Sequence, residues 1–390
     1  MKVPFLDLPR QYKKIRVEVN RAMQEVLESQ MFILGPTVEA FEKEVAAFCK
    51  VPHAVGVASG TDALLLALMA LGVKSGDRVA TVAYTFFATG GAVSTLGAKP
   101  LFVDIEPKTF NLDPNHLQDT LKKIRRKAER PKVIMPVHLF GQMADMRAIM
   151  EIARHYEIPV VEDAAQALGA WMEIHSNPTR PSLREVQMAG AVGDCGCFSF
   201  YPTKNLGAFG DGGMVISHNA EVAKKVRLLR VYGAKIKYHH QMIGINSRLD
   251  ALQAAVLQVK LRYLPRWSEA RRRNAARYLA LFREAGLQPP TLSWPGAAKG
   301  QYHIYNQFVI RAKKRDALRE CLTREGVGSD IYYPIPLHLQ ECYRYLGAHA
   351  GDLPVSEKAA RESLALPIYP ELTLRQQRRV VEVIAGFCRS

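Results

Sequence analysis

The chain has no apolar run approaching ~20 residues, so nothing in it reads as a membrane span, and no membrane partner is expected. Its first residues, Met1-Lys2-Val3-Pro4-Phe5-Leu6-Asp7-Leu8, are too short in apolar length and too soon charged for a secretory leader. A cytoplasmic protein is the expectation. Metal-ligand spacing is also missing. The six cysteines (49, 195, 197, 321, 342 and 388) are scattered, and Cys195 and Cys197 stand two apart in a predicted strand, on one face. Buried reduced thiols fit them better than a redox or zinc pair. His239-His240 has no ligand partner at useful spacing, and no metal is expected. Acidic residues are short: 37 against 53 lysines and arginines, a formal net charge of +16. The basic residues are spread out, and their two dense groups, Lys122 to Lys127 and Arg271 to Arg273, fall in helical stretches that read as solvated faces. No aromatic-interleaved basic strand or nucleic-acid motif accompanies them, so no nucleic-acid partner is expected. Such a field would also draw a small polyanion.

At 390 residues the chain can bury a full core and is expected to organise as two domains. Short β-branched runs at 54–58, 78–83, 100–103, 133–137, 159–162, 195–200 and 213–217 alternate with helical stretches such as 61–71 and 146–156. Several runs are apolar throughout, as strands covered on both faces should be. The pattern predicts an α/β large domain, 1–250, with a mostly parallel seven-stranded sheet between helices. A long helical stretch from 252 to about 283 bridges to a smaller C-terminal α+β domain, 251–390, through the Gly/Pro-rich segment 287–300. No internal repeat is visible. The polar stretch 174–187 interrupts the pattern and reads as an inserted surface loop.

Ligands of parallel sheets bind beyond the carboxyl ends of the strands, and the suggestive residues fall there. Ser199-Phe200-Tyr201-Pro202-Thr203-Lys204 carries a lysine leaving a strand. Glu162-Asp163-Ala164-Ala165-Gln166 carries an acid ending an earlier one. Pyridoxal phosphate needs that pairing: an amine for a Schiff base with its aldehyde, and a carboxylate to keep the pyridine nitrogen protonated. A structural salt bridge would equally explain Asp163. Ser59-Gly60-Thr61 opens a helix after a strand, which suits a phosphate or a plain helix cap. Gln166 could meet the ring's phenolic oxygen. Phe86 is placed to stack on the ring, or to pack in the core. Gly207-Ala208-Phe209-Gly210-Asp211-Gly212-Gly213 permits sharp turns back from the lysine, or a plain hairpin loop. Asn246 and Arg248 offer polar groups before the long helix, and His338 could reach substrate from the smaller domain. Singly, structural duty explains each of these as well.

Together, in order along nearly the whole chain, these motifs resemble the DegT/DnrJ/EryC1/StrS family of sugar aminotransferases, of the pyridoxal-phosphate-dependent fold type I. The likeness includes Pro4 to Leu8, Leu34-Gly35-Pro36, Ser59 to Leu64, Pro136 to Gln142, Glu162 to Gln166, Phe198 to Asn205, Gly244 to Ala255 and Tyr333 to His338. The resemblance implies that Lys204 binds the cofactor and later shuttles protons. It implies that Asp163 and Gln166 contact the pyridine nitrogen and phenolic oxygen. Gly60, Thr61 and Ser199 would hold the phosphate, with Asn246 supplied by the neighbouring subunit, and Phe86 would cover the ring. Arg248, Tyr333 and His338 would bind substrate. A homodimer with shared active sites follows from this.

Relatives that dehydrate instead of transaminating replace the lysine, commonly with histidine; Lys204 is retained here. The resemblance therefore implies transfer of an amino group from L-glutamate to a nucleotide keto sugar, through pyridoxamine 5′-phosphate. Tyr238-His239-His240 and Tyr332-Tyr333-Pro334-Ile335-Pro336 look most like members that aminate carbon 3 of a dTDP- or UDP-linked sugar. A 4-keto nucleotide sugar, a cyclitol ketone, and a cofactor-binding regulator without turnover are the alternatives. The stretch 174–187 is longer than in relatives and bears on the sugar rather than on the cofactor.

Overall fold

The computed structural model describes residues 1–175, 184–287, 298 and 300–389. Helix α1 (Leu8–Ser29) begins where Asp7 Oδ1 accepts the Arg10 amide at 3.1 Å, and α2 (Pro36–Cys49) follows. Then come β1 (His53–Val57), α3 (Gly60–Ala70), β2 (Arg78–Val82), α4 (Phe87–Thr95), β3 (Lys99–Val103), α5 (Pro114–Lys123), β4 (Val133–Met135), α6 (Met146–Tyr156) and β5 (Val161–Asp163). A hairpin of β6 (Trp171–His175) and β7 (Arg184–Met188) precedes β8 (Cys195–Ser199), β9 (Gly213–Ser217) and α7 (Ala220–Leu229).

Seven of these strands make one mixed sheet in the order β3-β2-β4-β5-β8-β9-β1. Single parallel bridges, Ile134 to Val160 and Val137 to Asp163, join its two halves. Only β9 runs against its neighbours. Alternation along the strands sends side chains to two separate cores. Val55, Val79, Val215, Cys195 and Cys197 meet α3 and α7 on one face. Ala54, Ala80, Met214, Ile216 and Phe198 meet α2 and α6 on the other. The two cysteines share a face and are buried as free thiols, as their spacing predicts.

After the small β10 (Ala234–Ile236) and β11 (His239–His240), α8 (Ala251–Glu284) runs for 34 residues. Its first half packs Val256 and Val259 on Ile15 and Val19 of α1. Its second half gives Ala275, Tyr278 and Phe282 to a third core. That core closes around β13 (Phe308–Arg311), α9 (Arg315–Arg324), β14 (Ser363–Leu366) and α11 (Leu374–Arg389), while β12 (Gln301–Tyr302) pairs with β6 and α10 (Pro354–Glu362) sends Ala359 and Ala360 into the core on the α2 face. The chain's first residues join it, because the Val3 amide donates to Gly326 O and Val3 O accepts from Gly328 N, both at 2.9 Å. Arg271 is buried at the joint, where its Nη1 donates to the carbonyls of Tyr305, Asn306 and Ile368 at 3.1, 3.4 and 2.8 Å.

The stretch 174–187 differs from the expected loop. Its described ends are strands, paired from Trp171 opposite Met188 to His175 opposite Arg184. Alternating residues such as Glu173-Ile174 and Glu185-Val186-Gln187 suit a half-buried ribbon. The strand-breaking Pro178 and Pro181 fall in 176–183, outside the described residues, as does most of the segment 287–300. The hairpin is docked by Trp171 stacked on Tyr302 at 5.2 Å, with the Arg272 guanidinium 3.8 Å from the Tyr302 ring.

Candidate active site

The carboxyl ends of β1, β2, β4, β5 and β8 share one edge of the sheet, and a cavity of about 390 Å³ opens there. Each strand end adds a part. From β5 comes Asp163, only 5% exposed. Its Oδ2 accepts from Thr89 Oγ1 at 2.7 Å and its Oδ1 from the Ala165 amide at 3.2 Å. Burial raises its pKa; the Thr89 hydroxyl, the Ala165 amide and the charges of Lys204 and His138 oppose the rise. Lys204 reaches the same cavity from the loop after β8, its amide donating to Tyr201 O at 2.8 Å. Desolvation brings its ammonium down to about 8 against the opposing pull of Asp163. Such a lysine is a usable nucleophile near neutral pH, which a solvated one is not.

A buried knot underlies Asp163. Glu162 Oε1 accepts the Val192 and Gly193 amides at 2.7 and 2.6 Å, and its Oε2 accepts Gly190 N at 2.9 Å. His138 Nδ1 accepts the Ala144 amide, so its Nε2 carries the proton and donates to Glu162 Oε2 at 2.7 Å. The backbones of His138 and Asp163 pair across β4 and β5, which holds the carboxylate at the cavity floor.

The first amides of α3, Gly60 and Thr61, have no helical acceptor, and Ser59 Oγ caps the helix by accepting Asp62 N at 3.1 Å. Sequence periodicity alone starts this helix at residue 61; the structure starts it at Gly60. Ser199, ending β8, faces this turn. A Cβ on Gly60 would lie 2.5 Å from Ser199 Cβ, so only glycine lets the turn and β8 close on one another. Gly213 is equally constrained, since its Cβ would lie 2.2 Å from Ser59 O.

Gln166 is oriented by its neighbours. Its Oε1 accepts Phe140 N at 2.6 Å, and its Nε2 donates to the Tyr333 hydroxyl at 3.0 Å. Burial pushes the Tyr333 phenol up, which keeps it protonated. Phe86 is 56% exposed at the cavity mouth, tilted against Tyr333 with centroids 5.9 Å apart, so core packing does not account for it.

The loop that follows Lys204 is clamped by α8. Lys260 Nζ donates to Gly207 O at 2.6 Å and lies 4.7 Å from the Phe209 ring, while Gln253 Oε1 accepts Phe209 N at 2.8 Å. Asn205 Nδ2 donates to Ile304 O at 3.2 Å.

Three residues that sequence reasoning assigned to ligands do not line this cavity. Asn246 is exposed on the strand-like bridge to Val231, and Arg248 is half-buried nearby. His338 is fully buried in the wall of the molecule, Nε2 3.2 Å from Glu357 Oε1, and its ring is occupied in holding α10 rather than facing the opening. The structure adds wall residues that the sequence did not single out, among them Thr85, Thr203, Asp211, Gln307 and Tyr332, and Thr89 behind them. Thr85 and Thr89 have helical spacing, a signal too common to have found them.

Pyridoxal phosphate fits these residues. Free helix amides, Thr61 and Ser199 suit its phosphate; Lys204 suits the aldehyde; and the buried Asp163 suits a protonated ring nitrogen at the opposite end. Among the described residues there is no group of three His, Cys, Asp or Glu arranged to hold a metal, and no helix is long and apolar enough to cross a membrane.

Comparison with known proteins gives the family. The model of the DegT/DnrJ/EryC1/StrS aminotransferase family matches residues 13–385. A pleiotropic regulatory protein of Geobacillus stearothermophilus is 46% identical over 389 residues, covering 100% of this chain and 99% of its own. The dTDP-3-amino-3,4,6-trideoxy-alpha-D-glucose transaminase of Streptomyces venezuelae is 41% identical over 383 residues, covering 98% and 95%. The crystal structure of S. venezuelae DesV in complex with a ketimine intermediate superposes with a TM-score of 0.91 at 40% identity, covering 100% of this chain and 99% of that one.

Proposed function

The chain belongs to the DegT/DnrJ/EryC1/StrS aminotransferase family and has its type I fold; from that premise we propose that it moves an amino group from L-glutamate to carbon 3 of a dTDP- or UDP-linked keto sugar. The observation that carries the reading is the meeting of Lys204, Asp163 and the α3 amides in one cavity. Pyridoxal 5′-phosphate, when bound, supplies an aldehyde that takes up the amino group and a ring that withdraws electrons from the reacting carbon.

The residues divide the work. Lys204, shifted to about 8, offers a neutral amine to the aldehyde and, once released, carries a proton to and from the substrate carbon through its Nζ. Asp163 holds the proton on the ring nitrogen by its negative charge. Gly60, Thr61 and Ser199 would hold the phosphate, Gln166 has a second amide proton to offer the ring's oxygen, and Phe86 would shield the ring from solvent. Tyr333 holds Gln166 and borders the substrate space.

Among the described residues lining the cavity, Lys204 is the one cation, yet a nucleotide sugar and glutamate bring several negative charges. Asn246 and Arg248 stand off their own cavity. Beside them the 232–243 segment exposes Tyr232, Ile236, Tyr238 and Ile243. These features support a homodimer in which each subunit completes the other's site. A second, C-terminal domain is supported by the separate core around β13 and β14, while the first half of α8 packs with the large domain.

The name of the Geobacillus relative favours a second reading, a cofactor-binding regulator without turnover. One experiment separates the two. Adding L-glutamate to the cofactor-loaded protein converts the absorbance of the lysine-bound cofactor to that of pyridoxamine phosphate if the chain is a transaminase. An unchanged spectrum with glutamate and with other amino donors favours the regulator. Turnover of 4-keto but not 3-keto nucleotide sugars would overturn the carbon-3 assignment.

A further inference from the structure

Two threonines that the reading above does not use lie at the back of the cavity. Thr85 and Thr89 are four residues apart at the entry to α4, and both are buried. Their hydroxyl oxygens are 3.0 Å apart, and Thr89 Oγ1 donates to Asp163 Oδ2 at 2.7 Å. A hydroxyl has one proton to give, and an ionised carboxylate can only accept. Thr89 therefore directs its proton at Asp163 and accepts the proton of Thr85. The order of donation is set: Thr85 to Thr89 to Asp163.

We propose that Thr89 is a positioning residue for Asp163, backed by Thr85: the paired hydroxyls keep the carboxylate ionised and turned towards a protonated ring nitrogen. The inference rests on the cofactor role given to Asp163. The groups facing that carboxylate differ in how steadily they support it. Lys204 favours its charge only while it carries its own, and His138 turns its Nε2 proton to Glu162 instead. Cys197, its partner across β8, and Tyr333 are both pushed up by burial and stay neutral. Thr89 and the Ala165 amide do not titrate, and the Thr89 bond is the shorter by half an ångström. A hydrogen bond to an ionised group from a neutral donor is the stronger kind, and here it is sheltered from water.

The measurement is affinity of the cofactor-free protein for pyridoxal phosphate as a function of pH, read by absorbance, on the whole chain. Binding requires ionised Asp163, so it weakens as pH falls through the carboxyl's pKa. Removing the Thr89 bond raises that pKa. Thr89→Val should weaken binding roughly tenfold near neutral pH and move the acid limb up by about one unit. Thr89→Ser should restore both, and Thr85→Val should move the limb in the same direction by less. Thr89→Ala gives the same reading should the valine variant not fold. Asp163→Asn tests the premise separately: wild-type affinity in that variant would remove the role of Asp163, and the inference with it. Weakened binding in Asp163→Asn beside wild-type affinity and acid limb in Thr89→Val and Thr89→Ala would overturn the inference alone.

Discussion

The floor of the cavity and the 232–248 segment are held in opposite ways. At the floor the buried carboxylates and Gln166 meet partners within the chain: Asp163 on Thr89, Glu162 on three amides and His138, Gln166 on Phe140 and Tyr333. In the segment, Tyr238 is 80% and Ile243 90% exposed, and Asn246 and Arg248 miss their own cavity. The polar groups of the floor are thus gathered within one chain. The substrate half is left open on the surface, where a second copy can supply it. On the proposed reading, a single chain folds its own electrostatic centre and takes part of its specificity from a second copy.

The largest effect should come from the floor. Lys204→Ala should leave the folding midpoint nearly unchanged and lower turnover about a thousandfold, as loss of a proton carrier does; retained multiple turnover would remove its assigned role. The open half should respond in association instead. Ile243→Ser should weaken the dimer at least about tenfold in sedimentation, given roughly 1.5–3 kcal/mol for one buried aliphatic side chain, with little change in the subunit's own fold. An unaltered dimer would place the interface elsewhere. The depressed pKa of Lys204 gives an intermediate effect. Its amine is the reactive form, so the rate of cofactor uptake should rise with pH and level off above about 8. The rise should be about tenfold per unit below that point. A rate flat across this range would contradict a desolvated lysine. The smallest effect is the most direct test of the contrast. A mixed dimer of Lys204→Ala and Asn246→Ala subunits gathers both lesions in one site and spares the other. It should recover roughly half the wild-type activity. No recovery would mean that Asn246 serves its own subunit.

The same contrast explains what could be read without coordinates. Strand runs, the mostly parallel sheet and the residues at its carboxyl edge were legible because hydrophobic period and strand-end position are local signals. The β6–β7 hairpin was obscured because Pro178 and Pro181 dominated the reading of a stretch whose flanks alternate as strands do. Thr89 was invisible because its meaning depends on Asp163, 74 residues away. His338 is the converse case: a histidine in a conspicuous Tyr-Pro-rich motif looked available, and its Nε2 meets Glu357 of α10, a partner that no local pattern announces. Polar residues acquire their roles from partners distant in sequence, and no local pattern reports them.

The bridging helix has a mechanical consequence. Lys260 grips the Gly207 carbonyl, three residues from Lys204, and Arg271 grips three carbonyls of the C-terminal core. Eleven residues of helix separate them, about 16 Å of stiff rod, interrupted at Pro265, where a backbone donor is missing. A rod pinned at both ends is a lever. Any tilt of the C-terminal core would be delivered to the lysine loop as a displacement unless the rod flexes at Pro265, which makes that proline the compliance between the two grips.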